Sequence, residues 1–327
     1  MTPQRFQEIT DRYPSLRIAV VGDYSCDRYL EIDSSKKETS IETGLPVHNV
    51  TNVRAQPGAT GTVLANLSAL GVGELWPVGF CGCDGEGYEL QRALEQMPGV
   101  KMKYFFESKT QRTFTYCKPL MMMEPGQPPR ELNRLDSKNW HPTPEALQKK
   151  LADAVRALAG KVDAFVILDQ VDEPETGVVT QNLLAAIEEI KSQTLVIGDS
   201  RRGLKNWPHI IYKMNADELA RLNEGEPETA AAELARQTGQ PVFVSLAKKG
   251  IIVATPRDEL AHSPALPVRG PIDIVGAGDA VTANLAAAIA ASAELSEVLE
   301  LANRAASIVI HKLGTTGTAS VAEMRGW

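Results

Sequence analysis

Apolar positions along this chain follow two rhythms. Ile18-Ala-Val-Val-Gly-Asp23 is a short apolar run closed by Gly-Asp. It predicts a buried strand whose C-terminal end meets a ligand, as parallel sheets arrange it. A small-residue helix is expected over 61–70, a strand from Val78-Gly-Phe80, and a helix over 85–96. From 145 the pattern is regular. Helices over 145–159, 176–192, 216–222 and 228–238 alternate with apolar strands at 164–168, 194–198, 210–213 and 242–245. That alternation implies βαβ units, a mostly parallel sheet and helices on both of its faces.

Two stretches break the rhythm. Residues of about 28–54 and 102–123 carry Thr, Ser, Val and aromatic positions without helical period, and read as β-rich insertions into a single domain spanning 1–327. Neither buries a core alone. Together they predict a small β lid over the ends of the central strands, which excludes water from a site. Their strand edges need covering, so a homodimer contact is expected there. Met121-Met-Met123 reads as apolar strand or lid packing, and Glu124-Pro-Gly-Gln-Pro-Pro-Arg130 as a loop.

Bulk properties narrow the classes. With 43% hydrophobic and 23% charged residues over 327 positions, a packed core is expected. The net charge of −7, without a run of five Lys or Arg, argues against nucleic-acid partners and for a small molecule. No stretch reaches the ~18 apolar residues of a membrane helix, and the polar start lacks a signal-peptide core. The four cysteines, Cys26, Cys81, Cys83 and Cys117, form no CxxC pair. Buried free thiols at 81 and 83 and a reducing cytoplasm are the expectation.

The sharpest chemical signal is Asp273-Ile-Val-Gly276-Ala277-Gly278-Asp279, followed by a run of small helical residues. Glycines at a helix N-terminus expose backbone N–H groups, and the dipole favours an anion there. Asp279, in the first turn, is placed to take a hydroxyl proton while those amides stabilise a moving phosphoryl group. A glycine turn with Asp279 as a capping residue is the alternative. A dinucleotide fingerprint fails because Val281 occupies its last position, and no G-x-x-x-x-G-K-[ST] occurs. Asn215-Ala-Asp-Glu218 has the form of a capping box.

Gly-Ala-Gly-Asp opening a helix near the C-terminus resembles the signature of the ribokinase-like (PfkB) sugar kinases, and the likeness covers nearly the whole chain. It implies an α/β three-layer sandwich with a mostly parallel sheet and a small β lid. It also implies an ATP-dependent kinase with Asp279 as base and Gly276, Ala277 and Gly278 as the anion hole. Asn215 and Glu218 are similar to the family's Asn-x-x-Glu, which arranges Mg²⁺ and the ATP phosphates, Glu218 acting through water. Ser245, Ala247 and Gly250 resemble the turn under those phosphates, with Ala247 in place of its first glycine. Asn303 and Ser307 match the adenine-side wall. Lys312-Leu-Gly-Thr315, with Asp273, resembles the site of a monovalent cation.

Within that family the chain is most similar to the heptose-7-phosphate kinases. Gly22-Asp23-x-x-x-Asp27-Arg28-Tyr29 and Ser40-Ile-Glu42-Thr-Gly-Leu-Pro46-Val47 carry the likeness. It implies that Asp23, Asp27 and Gly58 hold sugar hydroxyls. Ala59 stands for a usual second glycine, Thr62 for a usual Asn, and Asn66 is retained. Arg28, Lys37, Arg112 and Arg201 are candidates for a sugar phosphate. No His-x-Gly-His is present, so only the kinase half of the bifunctional relatives is expected. A non-catalytic sugar or nucleotide sensor on the same fold, and a nucleoside kinase, remain rival readings.

Overall fold

The computed structural model describes residues 1–123, 127 and 129–326. Most of the Pro-rich segment, residues 124–126 and 128, therefore lies outside the described residues. The chain forms a nine-stranded sheet in the order β14-β13-β12-β11-β10-β9-β1-β4-β5 and a separate five-stranded sheet. The large sheet holds β1 (Arg17–Gly22), β4 (Glu74–Gly82), β5 (Phe105–Ser108), β9 (Ala164–Asp169), β10 (Leu195–Ser200), β11 (Ile211–Asn215), β12 (Val242–Ser245), β13 (Ile251–Ala254) and β14 (Leu260–Ser263). All neighbours pair parallel except β12 with β13 and β13 with β14.

Strand β1 shows why the sheet is central. Ile18 and Val20 enter the hydrophobic cluster on one face, Ala19 and Val21 that on the other, and all four are fully buried. A period of two with apolar residues on both sides forces helices onto both faces. One face carries α2 (Thr60–Ala69), α3 (Gly85–Glu95), α8 (Ala277–Ala290) and α9 (Leu295–Ile310). The other carries α4 (Glu145–Leu158), α5 (Gln181–Ile190), α6 (Ala216–Ala220) and α7 (Pro227–Thr238). Short helices α1 (Pro3–Thr10) and α10 (Val321–Arg325) close the first layer.

The small sheet is the lid. It contains β2 (Tyr24–Thr39), β3 (Pro46–Ala59), β6 (Phe114–Met122), β7 (Arg130–Glu131) and β8 (Leu135–Ser137). β2 and β3 form one long hairpin, Tyr24 facing Ala59 and Thr39 facing Pro46, so the first insertion is longer than 28–54. The second divides. Phe105 to Ser108 pair with β4 in the main sheet, and only the part from Phe114 joins the lid. Tyr24 fixes that split: its ring meets Phe105 edge-on at 5.2 Å, tying the start of β2 to the main core.

Two further expectations are corrected. Cys81 is buried in β4, but Cys83, past the strand end, is exposed beside Glu107. The helix expected from 176 begins only at Gln181, capped by Thr180. The reason is Asp23. Its carboxylate accepts N–H bonds from Gln170 (2.8 Å) and Val178 (2.6 Å), so the chain after β9 is wrapped around a buried acceptor instead of continuing a helix. Burial, with the neighbouring Asp169 carboxylate, pushes the Asp23 pKa up to about 7. Asp169 is itself held by Ser200 Oγ (2.7 Å) and Arg202 Nε (3.0 Å). Asp23→Asn turns one acceptor into a donor facing a backbone N–H. We expect a loss of about 2 kcal/mol in urea unfolding, the usual scale for a buried mismatched hydrogen bond.

Candidate active site

The carboxyl ends of β10 and β11 meet the N-terminal part of α8 through Asp199, Lys213 and Thr282. Gly276 is the N-cap of α8, at φ +83°, a left-handed conformation that glycine adopts without cost. No side chain caps this helix. Ala277 N–H bonds Ile274 O (3.2 Å) and Ala280 N–H bonds Gly276 O (2.9 Å), whereas the amides of Gly278 and Asp279 take no partner from the described residues. Such a terminus is a ready anion site. Asp279 is half-buried beside it. Removal from water pushes its pKa up to about 7; Lys213 opposes that rise, Asp199 adds to it, Arg201 opposes it and Asp27 adds to it. The sequence-based placement of Gly276, Ala277, Gly278 and Asp279 at one helix start therefore matches the geometry.

Across the cleft, Asp27 is buried on β2. Its Oδ1 accepts from Ser25 Oγ (3.2 Å), and Lys118 Nζ on β6 lies 3.7 Å from Oδ2. Burial raises its pKa; Lys118 and Arg134 work against that. Gly58 faces it across the hairpin. A Cβ there would lie 2.0 Å from Asp27 Oδ1, so this position admits only glycine while Asp27 keeps its place. Thr62 is buried in the first turn of α2.

Several residues expected at the sugar also bond within the chain. Asp23 holds the 170–178 backbone, as described. Asn66 is fully buried: its Oδ1 accepts Ala319 N–H (3.3 Å) and its Nδ2 reaches Thr62 O (3.0 Å). It ties α2 to the chain after α9. Arg112 has an exposed side chain, and its backbone N–H and carbonyl are both held by Asn139 (2.9 and 3.0 Å). Arg28 is paired with Glu86 and Glu89 of α3, both at 3.1 Å, and Lys37 is an exposed residue of the hairpin's outer part. Only Arg201 of that basic set has its charge felt in the cleft, by both Asp279 and Tyr116.

Among the residues expected at the nucleotide, Asn215 and Glu218 form the full capping box, with both bonds at 2.8 Å. Burial raises the Glu218 pKa, Asp199 adds to it, and Lys213 opposes it. Ser245 ends β12, its Oγ 3.4 Å from Met214 O. Leu246 N–H bonds Gly250 O (2.7 Å), closing the turn that holds Ala247. A Cβ at Gly250 would lie 2.1 Å from Ser263 O. Asn303 Nδ2 bonds Ser263 O and Oγ, both at 2.8 Å, so it pins the end of β14. Ser307 Oγ is buried without a partner among the described residues. Asp273 Oδ1 accepts Val275 N–H (3.1 Å), and Thr315 Oγ1 donates to Gln56 Oε1 of the lid (3.2 Å).

Several residues of this site escaped sequence reasoning. Lys118, Tyr116 and Arg134 reach it only through lid pairing; Arg134 lies over the Tyr116 ring at 5.1 Å and Lys118 Nζ lies 5.0 Å from the Tyr29 ring centre. Ile274, just before the α8 terminus, and Leu313, in the loop after α9, are exposed apolar residues; the signal for Ile274 was an apolar coil between Gly270 and Gly276. Lys213 lay inside an apolar strand and gave no signal at all.

Comparison with known proteins fits this geometry. The sequence model of the pfkB family carbohydrate kinases matches residues 16–322. The chain belongs to the pfkB family of carbohydrate kinases, phosphotransferases with an alcohol acceptor. It is 29% identical over 308 residues to the Bifunctional protein HldE of Azorhizobium caulinodans, covering 91% of this chain and 61% of that one. The protein of the same name from Stutzerimonas stutzeri is 30% identical over 324 residues, covering 96% and 64%. The chain thus spans less than two thirds of these relatives. The fold is shared with Arabidopsis thaliana ribokinase complexed with ribose and ATP, at TM-score 0.68, 20% identity and coverage of 95% and 99%. It is also shared with Escherichia coli phosphofructokinase-2 in complex with fructose-6-phosphate, at TM-score 0.70, 18% identity and coverage of 95% and 97%.

The two alanines that stand where the family resemblance expects glycine keep a glycine backbone. Ala59 has φ +50° and ψ −121°, and Ala247 has φ +49°. Both are costly for an L-residue with a Cβ. Ala59→Gly and Ala247→Gly are each expected to stabilise the fold by about 1 kcal/mol, read as a rise in Tm with the cleft unchanged.

Proposed function

We propose that this chain transfers the γ-phosphoryl group of ATP to a hydroxyl of a phosphorylated sugar related to heptose 7-phosphate. The observation that carries the reading is Asp279: a carboxylate with a pKa of about 7 beside two free helix amides, opposite Asp27 on the lid. Asp279 takes the proton of the attacking hydroxyl as the phosphoryl group passes over the amides of Gly278 and Asp279. The chemistry needs positioning and charge stabilisation, which this arrangement supplies.

The donor set suits Mg-ATP. The uncapped terminus takes phosphate oxygens, and the Ala247–Gly250 turn supports the rest of the triphosphate. Glu218, with one oxygen committed to its capping box, keeps the other for a water of Mg²⁺. Ile274 and Leu313 offer apolar surface to the base, near the wall built by Asn303 and Ser307. Asp273 Oδ2 has no hydrogen-bond partner among the described residues and suits a monovalent cation shared with the 312–315 loop.

The sugar lies between Asp27, Gly58 and Thr62. Its phosphate is met by Lys118, by Arg201 and by Arg134, whose half-exposed guanidinium also holds Asp136 at 2.8 and 2.6 Å; these charges surround Tyr116 and Asp27. The relatives named HldE support a substrate of the heptose 7-phosphate type. Exposed Ile41, Leu45, Val50 and Val53 on the β2–β3 hairpin support a homodimer formed through the lid. No helix among the described residues is long and apolar enough to cross a membrane, which accords with a place in the cytoplasm.

Asp279→Asn should lower kcat by about 10²–10⁴-fold, with ATP binding nearly unchanged. Retention of half the activity would remove the base assignment. The wild-type rate should rise with pH through a midpoint near 7 as the carboxylate ionises. Stability runs the other way. The folded pKa lies above the ordinary 3.8, so the folded state holds the proton more tightly and stability falls between about pH 4 and 7. Asp279→Asn should therefore raise Tm at pH 8.

Lys118→Met and Arg134→Met are each expected to raise KM for a sugar phosphate by about tenfold or more, and to leave KM for ATP unchanged. Preference for unphosphorylated sugars in kcat/KM would overturn the phosphate assignment and leave the kinase reading intact.

A further inference from the structure

Under the free amides of α8 lies a buried ammonium that the reading above does not use. Lys213 sits on β11 with its side chain 7% exposed. Its Nζ is 2.7 Å from Asp199 Oδ2 of β10. Thr282 Oγ1, on α8, lies within reach of that same oxygen (3.2 Å) and of Gly278 O (3.1 Å). A Cβ placed on Gly278 would lie 3.5 Å from Lys213 Nζ. Three elements therefore fix one cation directly beneath the anion hole.

The surrounding charges show what that cation does. Asp199 from β10, Glu218 from α6 and Asp279 from α8 all face it and hold its pKa up, against the burial that works to lower it. Asp27 and Arg201 are the further charges felt at Asp279. Without Lys213, a phosphoryl group arriving at Gly278 would meet three carboxylates, from β10, α6 and α8, with no buried cation among them. Two helix amides alone are a weak match for that repulsion. As an isolated core ion pair, Lys213–Asp199 would gain little over apolar residues of similar volume.

We propose that Lys213 is a positioning residue of the transfer step, a fixed counter-charge anchored by Asp199 and Thr282 that lets the α8 terminus accept the transferred phosphoryl group among its carboxylates. It neither gives nor takes a proton. The inference rests on the kinase reading, and it assigns Lys213 to the γ-phosphoryl position and not to the rest of the nucleotide.

The test measures nucleotide binding without turnover, in the presence of Mg²⁺ and by calorimetry, for ADP and for the non-hydrolysable analogue AMP-PNP. Lys213→Met combined with Asp199→Asn replaces the ion pair by a neutral one. We expect AMP-PNP affinity to fall by about thirtyfold and kcat by about 10²-fold, the scale of one preorganised electrostatic contact, with ADP affinity within about threefold of wild type. Lys213→Arg, which keeps the charge, should recover most of the AMP-PNP affinity. Thr282→Val leaves every charge in place and loosens only the anchor, so a smaller selective loss is expected should the double variant fail to fold. Equal losses for ADP and AMP-PNP, or no loss for either, would overturn the proposal and leave Lys213–Asp199 a core ion pair. If the wild-type chain binds neither nucleotide, the kinase reading falls and this one with it. If it binds both but phosphorylates no sugar, only the acceptor assignment is wrong.

Discussion

The first turn of α8 carries backbone N–H groups that nothing among the described residues satisfies. Helix termini are ordinarily closed by a side chain, water or a ligand. Here Gly276 provides the left-handed entry but has no side chain to offer, and Ala277 and Gly278 follow it without a polar side-chain atom. The packing around the terminus respects that vacancy of partners. Thr316 of the loop after α9 packs on Gly276, Lys213 sits below Gly278, and the carboxyl ends of the parallel strands turn toward the same point. An anion is the group that completes such a terminus, and the arrangement of the whole cleft follows from keeping the terminus both exposed to a ligand and screened from bulk water.

Screening is the lid's part. The β2–β3 hairpin is anchored at its root, where Tyr24 is fully buried against the main core, and becomes progressively exposed toward Thr39. Asp27 lies near the anchored root and is buried, while the far end of the hairpin is exposed. Thr315 with Gln56, and Gln56 with Tyr29 (3.5 Å), link the loop behind α8 to the lid. The lid and the loop that packs on the α8 terminus are thereby joined through a short polar chain.

Charge is distributed with the same economy. Carboxylates at 27, 199, 218 and 279 converge from four elements, and each is lifted by burial or by its neighbours or is held by a buried cation. Packing acids this closely is expensive for stability, and it is at sites where groups must change protonation or steer charge that such expense is found.

Local features were readable in the sequence. Gly276-Ala-Gly-Asp279 and Asn215-x-x-Glu218 act within one turn of helix, so their spacing alone specifies their geometry, and the two-sided apolar runs specify a covered parallel sheet. The antiparallel β13–β14 edge and the return of Phe105–Ser108 to the main sheet were not readable, because short strands take their partner from tertiary contact and not from their own pattern. The backbone bonds of Asp23 and Asn66 were not readable, because a polar residue near a strand end or helix start gives the same signal whether it faces a substrate or a backbone amide. Which it faces was decided by the 170–178 and 317–319 segments, distant in the chain. Lys118, Arg134 and Lys213 lay in stretches whose pattern predicted only strand or coil. Their charges acquire meaning from the three-dimensional convergence of the lid, β11 and α8, since electrostatic interaction depends on distance in space and on burial, neither of which the order of residues contains.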